Sequence, residues 1–182
     1  KRSFHSLVIN IEGDSAEQFE TYSIETISKL SREKFQDYLI ATGAWTYFRT
    51  RPYGKVPAKG SIPNSIFVNA MDTNPLAADP EPIILAAQAE FELALRALAK
   101  LTDGSVFVCK KAQGSLPDFS FPQVKNEQFA GKHPAGLSGT HIHFLDPVNQ
   151  SKIVWSIGYQ QVIALGRLLA TGRVSTERII SL

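Results

Sequence analysis

The sequence predicts an α/β protein in which a mostly parallel β-sheet carries helices on both faces. Residues 65–70 and 105–110 are short apolar runs, typical of strands that are buried on both sides. Around them lie segments of helical periodicity, of which residues 32–42 are the clearest. Strands that alternate with helices indicate βαβ units, and such units build parallel sheets.

Local signals place the boundaries of these elements. Ser31 occupies the N-cap position of the helix at 32–42, and Gly43 supplies its C-terminal stop. Asp79 and Pro80 are residue types favoured at the start of a helix. The other predicted elements are strands at 4–12, 124–130, 153–157 and 177–181, helices at 80–101, 135–145 and 159–171, and a connector at 14–30.

The composition is that of an ordinary globular chain. Of its 182 residues, 43% are hydrophobic and 20% are charged, which is enough for one sizeable core. A formal net charge of +2 implies no strong field for nucleic acid or a membrane surface. The single cysteine, Cys109, excludes an internal disulfide and a cysteine-based metal cluster, and it suits a reducing compartment.

The two ends of the chain predict a piece of a longer protein. The chain begins with Lys1 instead of a methionine and stops within a strand-like run. We expect residues 1–13 to be the last strand of a preceding domain, residues 14–174 the α/β domain, and residues 175–182 the start of a following segment. No run approaches the ~20 apolar residues of a membrane span, and no signal-peptide pattern is present.

An unusual loop lies at residues 45–58, before the strand at 65–70. It reads Trp-Thr-Tyr-Phe-Arg-Thr-Arg-Pro-Tyr-Gly-Lys-Val-Pro-Ala, so three basic side chains stand among four aromatic ones. Loops are more often built from short polar residues, glycine and proline. One interpretation is that the aromatics close the edge of the core and the cations are surface charge. The other is a site for a planar, anionic or polarised ligand, stacked on rings and held by guanidinium groups.

Polar turns follow two of the predicted strands. Asp72 and Asn74 come directly after the strand at 65–70, and residues 111–117 follow the next strand along the chain. In open parallel sheets, ligands bind outside the carboxyl ends of the strands, where the strand order reverses. We therefore expect these turns to face the loop at 45–58 across a ligand crevice.

No catalytic or metal-binding motif stands out. The residue types of a metal site are present in His133, His141, His143 and Asp146. On a helix, however, positions 141 and 143 face nearly opposite sides, so we expect histidines that cap a helix or fill the core. Nucleophile elbows, phosphate-binding glycine loops and close acidic pairs are also missing. The residues by themselves indicate a fold class and a loop of interest, but no reaction.

Four longer blocks carry a family resemblance. They are residues 39–58, 67–78, 133–148 and 155–166, and the most specific reads His-Pro-Ala-Gly-Leu-Ser-Gly-Thr-His-Ile-His-Phe-Leu-Asp-Pro-Val at 133–148. Together they resemble the A subunit of the sodium-translocating NADH:quinone reductase of bacterial inner membranes, over nearly the whole chain. Because that protein extends further at both ends, the resemblance implies that this chain is its Rossmann-like middle portion.

The resemblance implies a peripheral part of an enzyme, at the cytoplasmic face of the bacterial inner membrane. Its partners are then the other subunits of a six-subunit redox pump, which passes electrons from NADH to ubiquinone and exports sodium. The implied fold is similar to the flavin-binding subunit of respiratory complex I. In the family this protein carries no flavin and no iron–sulfur centre, and quinone binding has been attributed to it.

Two departures from the flavin-binding relatives fit the lack of a cofactor. Those relatives hold flavin with a glycine-rich loop, whose place is taken here by the bulky side chains of residues 45–55. Their acidic turn corresponds to residues 69–75, Asn-Ala-Met-Asp-Thr-Asn-Pro, with two carboxylates lost. Bulky side chains obstruct the close approach of a phosphate to backbone N–H groups. We expect that this domain itself binds no cofactor and no metal.

We expect the loop to bind quinone or a neighbouring protein of the pump. In the quinone hypothesis, Arg49, Arg51 or Lys55 hydrogen-bonds the quinone oxygens. Phe48 or Tyr53 then stacks on the quinone ring. The alternative is a purely structural docking module without a small-molecule ligand, and a third option is residual nucleotide binding at the strand ends.

Overall fold

The computed structural model describes residues 5–10, 13 and 16–181, and five strands within them form one sheet. The strands are β1 (Arg49–Arg51), β2 (Ile66–Asn69), β3 (Val106–Lys111), β4 (Val124–Phe129) and β5 (Val154–Gly158). Their order across the sheet is β1-β5-β2-β3-β4. The strands β5, β2, β3 and β4 are parallel to one another, and β1 pairs with β5 in the antiparallel direction. The predicted α/β class with a mostly parallel sheet is confirmed.

Helices connect these strands. The α-helices are α1 (Ile24–Ser28), α2 (Arg32–Ala41), α3 (Pro80–Ala86), α4 (Gln88–Leu98), α5 (Ser138–Leu145) and α6 (Tyr159–Thr171), and short 3-10 segments span Ala44–Tyr47 and Ala99–Leu101. Within the part of the chain that the structure describes, none of them combines the length and the apolar character needed to cross a bilayer.

Caps fix the ends of several helices at the predicted positions. The Ser31 side chain accepts a hydrogen bond from the Lys34 N–H at 3.2 Å and starts α2. The Asp79 carboxylate accepts from the Glu81 N–H at 3.1 Å and starts α3. Gly43 follows the end of α2 with a φ of 76°, a left-handed conformation that glycine adopts without strain. These three signals are therefore confirmed.

Side-chain alternation along the strands divides the core into two layers. In the larger layer, Ile66 and Trp155 of the sheet pack with helical residues such as Phe35, Leu95 and Leu165. The smaller layer, on the opposite face, lies under α5 and contains Phe67, Phe107, Cys109, Ile142 and Val154. Helices thus cover both faces of the sheet, as the sequence predicts.

A glycine allows α4 and α6 to cross at close range over the larger layer. A Cβ atom at Gly166 of α6 would lie 1.9 Å from the backbone carbonyl oxygen of Glu90 in α4. No side chain fits that gap, so any substitution there must push the two helices apart. Their position on the sheet depends on this contact.

We expect Gly166→Ala to lower the free energy of unfolding by about 1–3 kcal/mol, because the added methyl forces a backbone shift. Urea denaturation at constant pH measures the change. The matched control is Gly139→Ala in α5, where a Cβ would meet nothing within 4 Å. That variant should gain about 0.5–1 kcal/mol from helix propensity. Equal stability of the two variants would contradict the steric argument.

Three predictions for helical segments differ from the structure by more than one residue. The helix expected at 80–101 is interrupted at Ala87, whose φ of −130° and ψ of 36° separate α3 from α4. The connector at 14–30 contains α1, whose 5 residues are too few to show a helical period. The helix expected at 135–145 begins at Ser138. Hydrophobic periodicity does not reveal a change in the backbone angles of one residue, and it does not reveal a helix of only one or two turns.

The two terminal strands are not formed in the described residues. Residues 5–10 are exposed and belong to no helix or strand, and residues 4, 11 and 12 of that predicted strand lie outside the described part. Residues 177–181 also form no strand. A strand exists only through hydrogen bonds to a neighbouring strand, which an apolar run by itself does not supply. The predicted domain boundaries at 13 and 174 stay predictions.

Candidate functional site

The loop at 45–58 contains β1, a strand that the sequence analysis did not predict. Its antiparallel pairing with β5 places Arg51 opposite Val154, the first residue of β5. The chain therefore leaves β1 at the end of the sheet where the parallel strands begin. We call this end the amino edge of the sheet and the other end the carboxyl edge.

A tight turn follows β1 at the amino edge. The Thr50 N–H donates to the Lys55 carbonyl, and the Gly54 N–H donates to the Thr50 carbonyl, each over 2.7 Å. Gly54 has a φ of 64°, which suits glycine. The turn projects Tyr53, which is 63% exposed, and the exposed Lys55 into solvent. These two side chains are the ones most open to another molecule.

Phe48 belongs to the core and not to this surface. It is fully buried, and its ring centroid lies 5.9 Å from that of Trp45 and 5.4 Å from that of Trp155. Successive residues of an extended chain point to opposite sides, so Phe48 faces the core while Arg49 faces away from it. Phe48 therefore offers no ring face to a ligand, and the expectation that it stacks on one is corrected.

The basic residues of the loop differ in their contacts. Arg49 donates to the carbonyls of Thr46, at 2.6 Å, and Phe48, at 2.8 Å, so it holds the end of the 3-10 segment. Arg51 is half-buried, and its Nε is shielded from solvent and has no acceptor among the described residues. Lys55 is exposed. Arg51 and Lys55 are thus the cations left to contact another molecule.

Asp72 and Asn74 lie at the carboxyl edge, at the opposite end of the sheet from the turn after β1. The Asp72 carboxylate accepts from the Asn74 backbone N–H at 2.8 Å and from the Asn74 amide at 2.6 Å, which closes the turn after β2. The expected crevice between these turns and the loop at 45–58 is therefore wrong. Its cause is the reversed direction of β1, which carries the following turn to the other end of the sheet.

A cavity of about 350 Å³ lies at the carboxyl edge, where the segments after β2, β3 and β4 meet. The segment after β4 leads to α5 on one face, whereas the segments after β2 and β3 pack on the other face. Such a divergence marks the usual ligand position in an open α/β sheet. No residue of the loop at 45–58 lines this cavity. Its lining includes Met71, Asp72, Thr73, Asp79, Glu81, Lys111 and Phe129.

Glu81 ties the start of α3 to the segment after β3. Its carboxylate accepts from the Ser115 backbone N–H at 2.9 Å and from the Ser115 hydroxyl at 2.8 Å. The backbone hydrogen bond from Ser115, together with the nearby charges of Lys111 and Lys110, lowers the pKa of Glu81. A Cβ at Gly114 would lie 1.8 Å from Glu81 Oε1, so the glycine makes room for the carboxylate. The Ser115 N–H could otherwise bind a phosphate, but it already donates to the Glu81 carboxylate.

Lys110 holds the same segment from inside the core. Its side chain is 6% exposed, and Nζ donates to the Leu116 carbonyl at 2.8 Å, the Pro117 carbonyl at 3.1 Å and the Asp118 carboxylate at 2.7 Å. A buried ammonium group needs such partners to offset its desolvation. This role is not among those predicted from the sequence. The available signal was a lysine at the end of an otherwise apolar strand.

Burial separates the two histidines of α5. His141 is fully buried, its ring centroid lies 4.2 Å from that of Phe129, and its Nε2 is 2.8 Å from the Ala135 carbonyl. His143 is exposed, so the expected opposite orientation is confirmed. Burial lowers the pKa of His141. Across the described ranges, no three His, Cys, Asp or Glu side chains are grouped to hold a metal ion.

We expect the protein to lose stability on acidification through His141. Because burial lowers the folded-state pKa, the unfolded chain binds the proton more readily below about pH 6.5. The stabilisation is complete above that pH and is lost as the pH falls through the lowered folded-state pKa. His141→Gln should flatten the dependence of Tm on pH between about pH 7 and 5. The control His143→Gln should keep the wild-type dependence, and an unchanged slope in His141→Gln would contradict the assignment.

Comparison with known proteins identifies the family of this domain. A family model described as the NqrA second alpha/beta domain matches residues 30–174. The chain belongs to this family. All 182 residues also align with proteins named as the A subunit of the Na(+)-translocating NADH-quinone reductase, at 56% identity in Marinomonas sp. (strain MWYL1), 53% in Cellvibrio japonicus (strain Ueda107) and 50% in Klebsiella pneumoniae (strain 342). The chain spans 40% of the first relative and 41% of the other two, about two fifths of their length.

The family assignment confirms the resemblance found in the sequence. It does not test the likeness to the flavin-binding subunit of complex I, which stays a prediction. The same holds for ligand contacts by Arg49, Arg51, Tyr53 and Lys55. For this NqrA second α/β domain, the structure adds where those side chains lie and which of them are free to make contacts.

Proposed function

We propose that this domain is a non-flavin, peripheral part of the A subunit of a sodium-translocating NADH:quinone reductase, and that it serves the assembly of that complex. Relatives with that name match the whole chain at 50–56% identity, which supports the proposal. Its partners are then the other subunits of a six-subunit pump, at the cytoplasmic face of the bacterial inner membrane. The domain contributes a contact surface and no catalytic residue.

An exposed apolar surface at the amino edge carries this proposal. Tyr53, Ile62 and Ile153 are 63%, 49% and 39% exposed. The Asn64 N–H donates to the Ile153 carbonyl over 2.9 Å, and β1 ends beside the start of β5, so the three backbone segments are neighbours. We call these three residues the amino-edge patch. Neighbouring exposed apolar side chains favour a contact with another protein.

Positive charge accompanies the amino-edge patch. Lys152 is paired with the Asp146 carboxylate. Arg51 and Lys55, in contrast, form no ion pair within the described ranges. Tyrosine and arginine are enriched among residues that dominate binding energy at protein interfaces. The surface therefore fits an acidic patch on another protein of the complex, with Tyr53 as the anchor.

The carboxyl-edge cavity supports the non-flavin part of the proposal. Asp72, Asp79 and Glu81 all line it, and their negative charges disfavour a flavin or nucleotide phosphate. The contact of Glu81 with Ser115 also occupies a backbone donor of the loop. A domain that keeps the fold but fills the phosphate position with its own carboxylate is suited to a structural role.

We expect Tyr53→Ala combined with Lys55→Glu to weaken the association of the full-length protein with the rest of the complex. Loss of an anchoring tyrosine at an interface costs about 2 kcal/mol or more, which corresponds to at least about a 30-fold weaker complex. Size-exclusion chromatography and a binding titration against the complex that lacks this protein measure the effect. The matched control is Leu76→Ser, which alters a 91% exposed side chain at the carboxyl edge. Wild-type assembly by the double variant would contradict the docking role.

Quinone binding is a second candidate function, favoured by the neighbouring positions of Arg51 and Tyr53. An exposed tyrosine ring offers a stacking face, and the terminal guanidinium nitrogens of Arg51, unlike its shielded Nε, can donate to a quinone carbonyl. Ubiquinone would then be a ligand shared between this turn and a neighbouring surface. The buried Phe48 has no part in such a site.

We expect Arg51→Ala to weaken the binding of a short-chain ubiquinone by the full-length protein about 10-fold or more, since hydrogen bonds to charged groups contribute about 1.5–3 kcal/mol. Isothermal titration calorimetry measures the affinity, with FMN and NADH as comparison ligands. Tyr53→Ala should also weaken binding, while Tyr53→Phe keeps the ring and should bind as the wild type does. Affinity that is unchanged in both alanine variants would leave the assembly role as the function of this turn.

A further inference from the structure

A second cavity lies at the amino edge, on the β3–β4 side of the sheet. It has a volume of about 210 Å³ and lies between α1, the C-terminal end of α4 and the segment that leads into β4. Ile24, Ile27 and Phe121 form part of its apolar wall. Arg96 and Lys100 are its charged lining residues, and no carboxylate side chain of the described residues lines it. The cavity is therefore apolar with a net positive charge.

Arg96 has no counter-ion in the described part of the chain. Its Cζ lies 3.7 Å from the centroid of the Phe121 ring, so the guanidinium stacks on the cavity wall. Its Nε is shielded from solvent and has no hydrogen-bond acceptor there. Glu92 lies four residues before Arg96, a spacing at which a glutamate and an arginine on one helix often form an ion pair. Its carboxylate instead accepts a hydrogen bond from the Gln88 side-chain amide at 2.7 Å. Arg96 thus keeps an unneutralised charge against an apolar wall.

The second cation of the cavity is held by the protein itself. Lys100 Nζ donates to the Ser28 carbonyl at 2.8 Å, which fixes the ammonium group beside α1. Arg32, which donates to the Lys100 carbonyl at 3.0 Å, forms an ion pair with the Asp103 carboxylate at 2.5 Å. The charge of Lys100 is therefore not neutralised, because its hydrogen-bond partner is an uncharged carbonyl and the Asp103 carboxylate is paired with Arg32. Both cations of the cavity therefore attract an anion from outside.

We propose that this cavity binds a small organic monocarboxylate, with its carboxylate at Arg96 and its apolar body against Phe121 and Ile27. The planar guanidinium fork matches the two oxygens of a carboxylate. The volume is smaller than the roughly 300–1,000 Å³ of sites for drug-sized ligands, so the acid is a small one. The C-terminal end of α4 carries a partial negative charge, and the two cations outweigh it. This site is separate from the amino-edge patch and does not depend on the docking or quinone roles.

The test uses the full-length protein with benzoate as the probe and benzamide as its uncharged counterpart. Saturation-transfer NMR at low salt detects ring protons of a bound probe, and a titration gives the affinity. We expect saturable binding of benzoate, at least about tenfold weaker binding of benzamide, and loss of at least about tenfold in benzoate affinity in Arg96→Met. Methionine replaces the guanidinium with an uncharged side chain of similar length, and Arg96→Lys keeps the charge without the fork. Arg178→Met is the matched control, because among the described residues Arg178 donates only to the Glu177 carbonyl.

Each outcome decides the proposal. Benzoate binding that is lost in Arg96→Met, weakened in Arg96→Lys and retained in Arg178→Met supports it. Equal binding of benzoate and benzamide would show a site for apolar shape alone and overturn it. Equal benzoate affinity in the wild type and Arg96→Met, or no saturation at all, would do the same. Unfolding of Arg96→Met is recognised from its Tm, and Arg96→Lys then serves as the deciding variant.

Discussion

The packing of Trp155 sets the geometry of the amino edge. Its ring centroid lies 5.2 Å from that of Trp45 and 5.4 Å from that of Phe48. Trp45 Nε1 also donates to the Pro57 carbonyl at 2.8 Å. Phe48 precedes β1 and Pro57 follows the turn, so both arms of this segment are fixed to the same aromatic cluster. Such pairs add about 0.5–1.5 kcal/mol each beyond the burial of their area. The side chains between the two arms therefore reach solvent from a rigid base.

The direction of β1 also determines which turns lie at each end of the sheet. Because β1 runs against β5, its turn joins the amino edge, while the turn containing Asp72 stays at the carboxyl edge. At the carboxyl edge, Glu81 Oε2 accepts from Ser115 and Lys110 donates to three acceptors. Internal bonds of this kind leave few donors for a phosphate-bearing cofactor. These bonds fix the turns at the position that holds the ligand in many α/β proteins.

Much of the fold could be predicted from the sequence, and the main exception is β1. The helix α2 carries an N-cap serine, a following glycine and helical periodicity, and β2 and β3 are apolar runs typical of buried strands. β1 is three residues of Arg-Thr-Arg without an apolar pattern, and its partner Ser156 lies 107 residues beyond Arg49. No local signal reports such a pairing. The candidate residue types were thus visible in the sequence, but the burial of Phe48 and the end of the sheet occupied by Arg51 were not.

The distribution of unpaired cations connects these observations. Arg51 lies by Tyr53 on the β1 side of the amino edge, and Arg96 stacks on Phe121 on the β4 side. In both places a half-buried guanidinium has a donor without an acceptor among the described residues, and that of Arg96 stacks on an aromatic ring. Leaving such a donor unsatisfied costs free energy, so neither arrangement is explained by the stability of the domain alone. At the carboxyl edge, Lys110 and Glu81 Oε2 have internal partners, whereas Glu81 Oε1 and Asn69 Oδ1 are buried acceptors without a donor among the described residues. The guanidinium donors without an acceptor therefore lie at the amino edge, whereas the buried side-chain oxygens without a donor lie at the carboxyl edge.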